Sequence, residues 1–276
     1  MQRKTILMIL LLAMLLSVSL SACGQDAKEE LTVTLLSVGR ADAIVLQCGR
    51  ETMVIDTGET DDGRKLLRFL GDQGVEKADL LIVTHFDKDH VGGAARLAEQ
   101  LPLGRVLLPD YEGQRPEYKS FMAELGVLGL EPERLTEPLL LSLGGAEVLV
   151  EPPPAYLEEV GDNDRSLITT VTYGERRLVF MGDSEKLRIR QWLAERAPQP
   201  CDFVKMPHHG DYNKALPELL AALKPRWAAI CDSDKNPAAG ETLSLLREVK
   251  AQAYRTSEGT VRLICDGKDL RVEQEN

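Results

Sequence analysis

From Leu31 onward the chain alternates between short apolar runs and amphipathic segments. Runs rich in Val, Ile and Leu and bounded by turn residues predict strands, and apolar positions three and four residues apart predict helices. The predicted strands are residues 31–38, 42–48, 51–55, 79–83, 105–108, 146–151, 166–173, 176–181, 203–206, 227–231, 253–255, 261–265 and 270–272. The predicted helices are residues 64–70, 91–100, 118–125, 184–195, 216–223 and 241–250. Most of the stretch from 109 to 138 is less regular.

The order of these elements predicts an α/β fold organised as one domain, residues 31–276. Each half of the chain begins with antiparallel strands and continues with alternating strands and helices, which indicates two central sheets with helices outside. No motif repeats at a short fixed period, and this excludes a solenoid. The prolines at 152–154 are interpreted as a rigid loop, because candidate chemical residues lie on both sides of them.

The N-terminus has the pattern of a secretory signal peptide at residues 1–22. Arg3 and Lys4 precede an apolar run at residues 6–16, which is too short for a comfortable transmembrane helix. The segment Leu20-Ser21-Ala22-Cys23 resembles a bacterial lipobox. We therefore predict a lipid on Cys23, an acidic tether at residues 23–30, and an exported protein anchored to the outer face of the bacterial cytoplasmic membrane, or in the periplasm or at the cell surface. The alternatives are a plain signal peptide and an uncleaved anchor.

Composition narrows the possible partners. The 276 residues include 33 Lys and Arg against 44 Asp and Glu, for a net charge of −11. This charge argues against a protein that holds nucleic acid mainly through a basic surface. Four cysteines follow Cys23, and although an exported protein could pair them, most lie in or beside apolar runs, which favours buried free thiols. These are Cys48, Cys201, Cys231 and Cys265.

One strand end carries a dense set of groups that can bind metal. After the strand at 79–83 the chain reads Thr84-His85-Phe86-Asp87-Lys88-Asp89-His90-Val91-Gly92-Gly93. Imidazole and carboxylate together suit zinc, manganese or iron. His85, Asp87 and Asp89 alternate along what we expect to be an extended loop, whereas His90 points elsewhere, so these groups can be divided between two ions. The two glycines permit close backbone packing at the start of the next helix.

Two further strand ends add candidate ligands. Asp183 follows the strand at 176–181 within Met181-Gly182-Asp183, where a carboxylate can bridge two ions. His208 and His209 follow the strand at 203–206. Either motif alone is a weak signal. However, all four histidines of the chain lie in two strand-end loops, and this concentration predicts a metal site.

Motifs in this order resemble those of metallo-β-lactamase-fold hydrolases of the ComEC/Rec2-like branch, over about residues 31–264. Residues 37–43 resemble the motif DVGQGDA, 54–58 IDTG, 84–93 THPDADHIGG, 163–167 NDNSLVL, 180–183 LLTGD, 204–210 LKVPHHG and 254–259 YRTDxxG. The resemblance implies an αββα four-layer sandwich with a metal site at the mouth between its two sheets.

The resemblance also implies roles for individual residues. His85 and Asp87 would bind one divalent ion, Asp89 and His90 the other, and Asp183 both. We expect His208 to be a ligand and His209 to contact the scissile phosphate, with Asp89 accepting the proton of the attacking water. The residues that would support the ligands from behind are Asp56, Asn163 and Ser166.

These roles imply a hydrolase with two divalent ions, zinc or manganese. The carboxylate of Asp87 favours manganese, the harder of the two ions. The expected substrate is a phosphodiester of nucleic acid, nucleotide or cell wall, and no obligate protein partner is evident. The chain departs from the family motifs at Ala41 (usually Gly), Asp211 (usually Ser) and Asn236 (usually His). The changes at Asp211 and Asn236 leave an alternative function. In this alternative the protein is an inactive surface lipoprotein that acts as a binding or assembly module linked to DNA uptake. Hydrolysis of β-lactams or thioesters is disfavoured by Asp87, because such relatives have histidine there.

Overall fold

The structure, a computed structural model, describes residues 29–155 and 161–275. The predicted signal peptide, Cys23 and most of the tether lie outside the described residues. None of the helices in the described ranges is both long enough and apolar enough to cross a membrane.

The first sheet has eight strands. It begins with the antiparallel strands β1, β2 and β3, continues with β4, β5 and β6 in parallel, and is completed on its other side by β14 and β15. The strand order is β15-β14-β1-β2-β3-β4-β5-β6. The strands are β1 Leu31–Leu35, β2 Ala43–Cys48, β3 Glu51–Thr57, β4 Ala78–Ile82, β5 Leu103–Pro109, β6 Glu133–Leu135, β14 Thr260–Cys265 and β15 Leu270–Glu275.

The second sheet has seven strands and the same plan. The strands β7 to β10 are antiparallel, and β11 to β13 follow in parallel beside β10. The strand order is β13-β12-β11-β10-β9-β8-β7. The strands are β7 Leu139–Leu143, β8 Ala146–Glu151, β9 Ile168–Tyr173, β10 Arg176–Phe180, β11 Phe203–Lys205, β12 Trp227–Ile230 and β13 Gln252–Arg255.

Helices cover the outer face of each sheet. Those associated with the first sheet are α1 Gly63–Asp72, α2 Lys88–Val91, α3 Ala94–Gln100 and α4 Pro116–Leu128. Those associated with the second sheet are α5 Lys186–Arg196, α6 Leu216–Leu223 and α7 Gly240–Glu248. Short 3-10 turns occur at Asp162–Arg165, His208–Gly210 and Thr256–Glu258.

Three apolar clusters hold the four layers together, and strand periodicity explains them. Side chains alternate between the faces of a strand, so Ile44 and Leu46 of β2 pack between the sheets while Val45 packs under the helices. A third cluster joins the second sheet to its helices through residues such as Trp192. The αββα four-layer sandwich is therefore confirmed. Cys48, Cys201, Cys231 and Cys265 are free and buried within it, as their apolar surroundings predicted.

The structure departs from the sequence interpretation in two places. Two strands were not predicted, β6 within the irregular stretch and β7 directly after it, each at an edge of its sheet. The expected extended loop after β4 ends at Asp87, and Asp89 and His90 lie in the short helix α2. The close packing of Gly93 is as expected, since a Cβ there would lie 2.4 Å from the carbonyl oxygen of Thr57.

Candidate metal centre

Loops at the carboxyl ends of the strands bring the candidate ligands together. Asp56 is near the end of β3, His85 follows β4, Asp183 follows β10 and His209 follows β11. Because the two sheets face each other, loops from both halves of the chain meet at one edge of the sandwich. His85, His90 and His209 are almost completely buried there, and so is Asp183.

Each buried histidine is oriented by a partner at its Nδ1 atom. His90 Nδ1 lies 2.8 Å from Asp56 Oδ2, and His209 Nδ1 lies 2.8 Å from the carbonyl oxygen of Cys231. Since a carboxylate and a carbonyl only accept, Nδ1 donates in both, and in the neutral ring it is Nε2 that carries the lone pair. His85 Nδ1 lies 3.1 Å from Thr84 Oγ1. A partner at one ring nitrogen, leaving the other free, is the usual arrangement of a metal-binding histidine.

The free Nε2 atoms converge on two carboxylates. Asp183 Oδ2 lies 3.1 Å from His90 Nε2 and 3.2 Å from His209 Nε2, and Asp89 Oδ2 lies 3.3 Å from His209 Nε2. In the described part of the chain, the Nε2 atoms of His85, His90 and His209 are buried without a hydrogen-bonding partner. Buried nitrogens left in this way are costly unless something binds them. The donor set of imidazole and carboxylate fits a divalent cation.

Among the described residues, three groups of potential ligands share His90. His85, His90 and Asp183 present atoms that all lie within 4.8 Å of one another, as do Asp89, His90 and His209, and also Asp42, Asp56 and His90. Asp183 belongs to the first group, and its Oδ2 atom also lies 3.2 Å from His209 Nε2 of the second.

The turn that presents Asp183 depends on a glycine and a serine. Gly182 has a φ of +53°, and a Cβ on it would lie 2.9 Å from Ser166 Cβ. Ser166 is fully buried, and its Oγ accepts a hydrogen bond from the backbone N–H of Asp183 at 3.0 Å. Ser166 therefore holds the backbone of Asp183 in this turn.

Asp56 supports the centre from the other side. It accepts hydrogen bonds from the backbone N–H and the hydroxyl of Thr84, both at 2.7 Å, as well as from His90. Asp56 is fully buried and has a φ of +57°, an unfavourable conformation for a residue with a side chain. The fold holds this carboxylate in place despite that strain.

The buried carboxylates of the centre favour additional positive charge nearby. Burial lowers the pKa of His209 and His90, but the charge of Asp183 outweighs it, raising the pKa of His209 to about 9 and that of His90 well above its usual value. Burial and the charge of His90 lower the pKa of His85 to about 4. Burial raises the pKa of Asp183, yet His209, His90 and Lys205 hold it well below its usual range. A divalent cation would supply the same positive charge by displacing the protons of His90 and His209.

Lys205 and Asp42 form a buried ion pair that the sequence interpretation did not single out. Both side chains are almost completely buried, and Lys205 Nζ contacts Asp42 Oδ2 directly. The ammonium also donates to the carbonyl oxygen of Gly182 at 3.1 Å and lies 3.5 Å from Asp183 Oδ1. Burial lowers the pKa of Lys205, but the negative charges of Asp42 and Asp183 raise it by more. The pKa therefore lies above its usual value, and the ammonium stays charged. The available signal was a lysine inside an otherwise apolar strand.

Asp87 lies at the rim of the centre. Its Oδ2 atom is 3.8 Å from His85 Nε2, and its Oδ1 atom accepts from Arg115 at 3.0 and 3.1 Å. The Asp87 side chain is 25% exposed, unlike the buried histidines. Asp87 therefore faces the expected first ion but is also held by a surface arginine.

The structure places His209, and not His208, beside Asp89 and Asp183. His208 is 25% exposed, its Nδ1 lies 3.0 Å from Glu185 Oε1, and its Nε2 lies 3.4 Å from Asn163 Nδ2. Both histidines have left-handed backbone conformations, with φ values of +45° and +51°. The tight turn sends their side chains to different sides, so that His208 and Asn163 line the rim while His209 points inward.

The departures from the family motifs also have defined places. Asp211 pairs with Arg40 at the rim. Asn236 is exposed on the loop after β12, where its backbone N–H donates to the carbonyl oxygen of Ser233 at 3.1 Å. The cluster of histidines and carboxylates is complete without it.

Comparisons with known proteins identify the family of the chain. A family model described as the metallo-beta-lactamase superfamily matches residues 36–231. The chain is similar to ComE operon protein 3 of Bacillus subtilis, with 25% identity over 254 residues, 83% of this chain and 32% of that protein. It is also similar to recombination protein 2 of Haemophilus influenzae, with 23% identity over 221 residues, 77% of this chain and 26% of that protein. The chain spans about a third or less of these relatives.

Solved structures show the same fold. CmlA, a diiron beta-hydroxylase from Streptomyces venezuelae, superposes with a TM-score of 0.55 and 18% identity over 90% of this chain and 54% of that one. The metallo-beta-lactamase fold protein YhfI from Bacillus subtilis superposes with a TM-score of 0.51 and 12% identity over 82% of this chain and 96% of that one. At these identities the likeness concerns the fold alone.

Proposed function

Because the chain belongs to the metallo-beta-lactamase superfamily and has relatives in the ComEC/Rec2 competence family, we propose that it is a metal-dependent hydrolase that cleaves phosphodiesters. The observation that carries this proposal is the convergence of three buried, unpartnered Nε2 atoms, of His85, His90 and His209, on Asp183. We propose two divalent ions there, zinc or manganese.

Charge supports the presence of cations. The centre contains three buried carboxylates, those of Asp42, Asp56 and Asp183, but one buried ammonium, that of Lys205, which lies beside Asp42 and Asp183. Carboxylates without counter-charge are costly to bury, so the folded state requires added positive charge at this point. Protonation of His90 and His209 is one source of that charge, and divalent cations are another.

The ligand assignment follows the geometry. His85, Asp87 and Asp183 would hold one ion, and Asp89, His90, His209 and Asp183 the other. This assignment replaces His208 with His209, because only His209 points its Nε2 atom at Asp89 and Asp183. His208 then takes the role at the rim that the sequence interpretation gave to His209, contact with the scissile phosphate.

The chemistry divides between the ions and the chain. Two bound divalent ions lower the pKa of a water molecule and stabilise negative charge on a phosphoryl oxygen. Asp89 is 24% exposed, so its carboxylate can accept the proton of an attacking water. Burial raises the pKa of Asp89, but His209 and His90 hold it well below its usual range, which makes it a weak base. Asp56 and the Cys231 carbonyl keep the histidine rings in place.

The substrate and the location are further parts of the proposal. The name of one relative, recombination protein 2, refers to recombination, which supports nucleic acid or a nucleotide as the diester. The net charge of −11 favours a short substrate over a long polymer, and a cell-wall diester also fits. We propose that a lipid on Cys23 anchors the exported protein to the membrane and that no obligate protein partner is needed.

The test compares the two adjacent histidines in the metal-loaded full chain. The parent should bind close to two divalent ions and hydrolyse bis-(4-nitrophenyl) phosphate, more rapidly with manganese than with zinc. His209→Ala should lose at least one ion, whereas His208→Ala should keep both ions and lose activity. A parent that binds no transition metal, or binds it and hydrolyses no diester, would contradict the enzyme and favour the binding or assembly module.

A further inference from the structure

Arg40 and Asp211 form an ion pair beside the ligand cluster. Arg40 Nη2 lies 2.5 Å from Asp211 Oδ2. Arg40 is two residues before Asp42, whose backbone N–H donates to the carbonyl oxygen of Asp89 at 3.1 Å. Asp211 is two residues after His209, and its Oδ2 atom lies 3.9 Å from His208 Nε2. The pair therefore connects the loop before β2 with the loop after β11 at the rim of the centre.

Both members of this pair are departures from the family motifs. Arg40 stands where the motif DVGQGDA has glutamine, and Asp211 stands where serine is usual. Two neutral side chains have thus been replaced by a cation and an anion that touch each other. The Arg40 side chain is 23% exposed and that of Asp211 is 43% exposed, so either charge alone would be partly buried without a counter-charge. The two exchanges form one unit.

The chemistry of the unit suits an anionic ligand. A guanidinium has five N–H donors in a planar fork that matches phosphate oxygens, and the pair with Asp211 occupies one nitrogen, Nη2. Burial lowers the pKa of Arg40, but Asp211 and the more distant charges of Asp183 and Asp89 raise it, so the group stays charged. Arg40 is therefore a cation within electrostatic reach of two expected metal ligands.

The rest of the rim makes this cation important. Asp87, Glu185 and Asp162 also lie there, and the neighbouring Arg115 donates from both Nε and Nη2 to Asp87, whereas Arg40 donates only from Nη2 to Asp211. An approaching phosphoryl group would meet repulsion from these carboxylates at every point except where a cation offsets it. Arg40 offsets it next to the ligands themselves.

We propose that Arg40 is a specificity-determining residue that binds a charged phosphoryl oxygen of the substrate, while Asp211 holds its guanidinium at the mouth of the centre. This inference rests on the proposed function and narrows it to anionic phosphoryl compounds over neutral esters.

Binding provides the first test. Phenylphosphonate, whose P–C bond resists hydrolysis, is titrated by calorimetry into the manganese-loaded full chain. Arg40→Gln, which installs the family residue, should weaken binding roughly 10- to 100-fold, the range for a hydrogen bond to a charged group. The matched control is Arg190→Gln, because Arg190 forms a similar but exposed pair with Glu218, at 2.6 Å, between outer helices. This control should bind phenylphosphonate as the parent does.

A second variant separates ligand binding from a merely structural pair. Asp211→Asn removes the negative charge of the pair but keeps a side-chain oxygen that can accept from Arg40, so it should bind phenylphosphonate at least as tightly as the parent. If Arg40 only stabilises the fold through Asp211, Asp211→Asn and Arg40→Gln should weaken binding equally. That result would overturn the inference.

Hydrolysis distinguishes failure of the inference from failure of the proposed function. For bis-(4-nitrophenyl) phosphate, Arg40→Gln should raise KM about tenfold or more while kcat changes less than about threefold. For the neutral triester diethyl 4-nitrophenyl phosphate the KM should not rise.

If the parent hydrolyses the diester and Arg40→Gln leaves both KM and phenylphosphonate affinity unchanged, the inference alone is wrong. If the parent hydrolyses no diester, the proposed function is wrong. The role of Arg40 is then decided by the calorimetric affinity of the parent for phenylphosphonate relative to that of Arg40→Gln. A parent that binds no phenylphosphonate contradicts that role.

Discussion

Lys205→Met is expected to destabilise the metal-free protein strongly. The Lys205 side chain is fully buried and its ammonium contacts Asp42, the Gly182 carbonyl and, at 3.5 Å, Asp183. Methionine fills a similar volume but leaves the buried Asp42 carboxylate without its ammonium. Breaking a buried ion pair by removing one partner typically costs about 3–5 kcal/mol, because the remaining charge is left uncompensated.

A double variant tests whether charge, and not packing, is the cause. Adding Asp42→Asn to Lys205→Met removes the stranded charge, and replacing both members of a buried pair is often nearly neutral. We therefore expect the double variant to recover at least about 1.5 kcal/mol of the free energy of unfolding lost by Lys205→Met, as a double-mutant cycle measures it. Recovery is expected to be incomplete, because Asp183 also loses a nearby cation.

The assay is urea unfolding of chelator-treated protein, followed by circular dichroism for the parent, both single variants and the double variant. A loss of about 3–5 kcal/mol is a large part of the 5–15 kcal/mol typical of a folded protein, so the midpoint should fall markedly. The reasoning is refuted if Lys205→Met loses less than about 1 kcal/mol, or if Asp42→Asn adds to the loss instead of reducing it.

Other predictions concern the location, the ligands and the substrate. Cys23→Ala should move the protein from the membrane fraction to a soluble or unprocessed form, and unchanged fractionation would contradict the lipid anchor. Asp56→Asn should weaken metal affinity roughly 10- to 100-fold by equilibrium dialysis, because the amide cannot both accept from His90 Nδ1 and replace the carboxylate charge. Asn236→His, which installs the family residue on an exposed loop, should leave diester turnover unchanged or raise it. Nitrocefin should not be hydrolysed at a comparable rate, and equal rates would contradict the preference for phosphodiesters.

Strands with clear periodicity could be predicted from the sequence, and two edge strands could not. The helix at Leu216–Leu223 has the predicted bounds, because its four leucines all belong to one cluster. In contrast, β7 has the sequence Leu-Leu-Leu-Ser-Leu, and Leu140 is 58% exposed. A leucine on the solvent side of an edge strand removes the polar alternation that identifies a strand. The strand β6 has only three residues, too few to show any period.

The types of residue in the metal centre could be predicted, but not the orientation of two adjacent histidines. The motif around His208 and His209 indicates that one of them is a ligand without indicating which. The choice depends on two successive left-handed residues, a rare conformation for side chains other than glycine. Sequence periodicity carries no information about such a turn. Only the packing of the loop, with His209 Nδ1 on the Cys231 carbonyl, determines which ring points inward.

The lysine at position 205 shows how a local inconsistency in a sequence can locate a functional centre. Lys205 lies in a strand whose other residues, Phe203 and Val204, are fully buried, so its ammonium must be buried as well. A buried ammonium requires a carboxylate in contact, and Asp42 stands directly before another buried strand, β2. The buried carboxylates then outnumber the buried ammonium, and protonated histidines or bound cations must supply the missing positive charge. The charged residues that disagree with the strand pattern therefore predict the same centre as the histidines, from independent evidence.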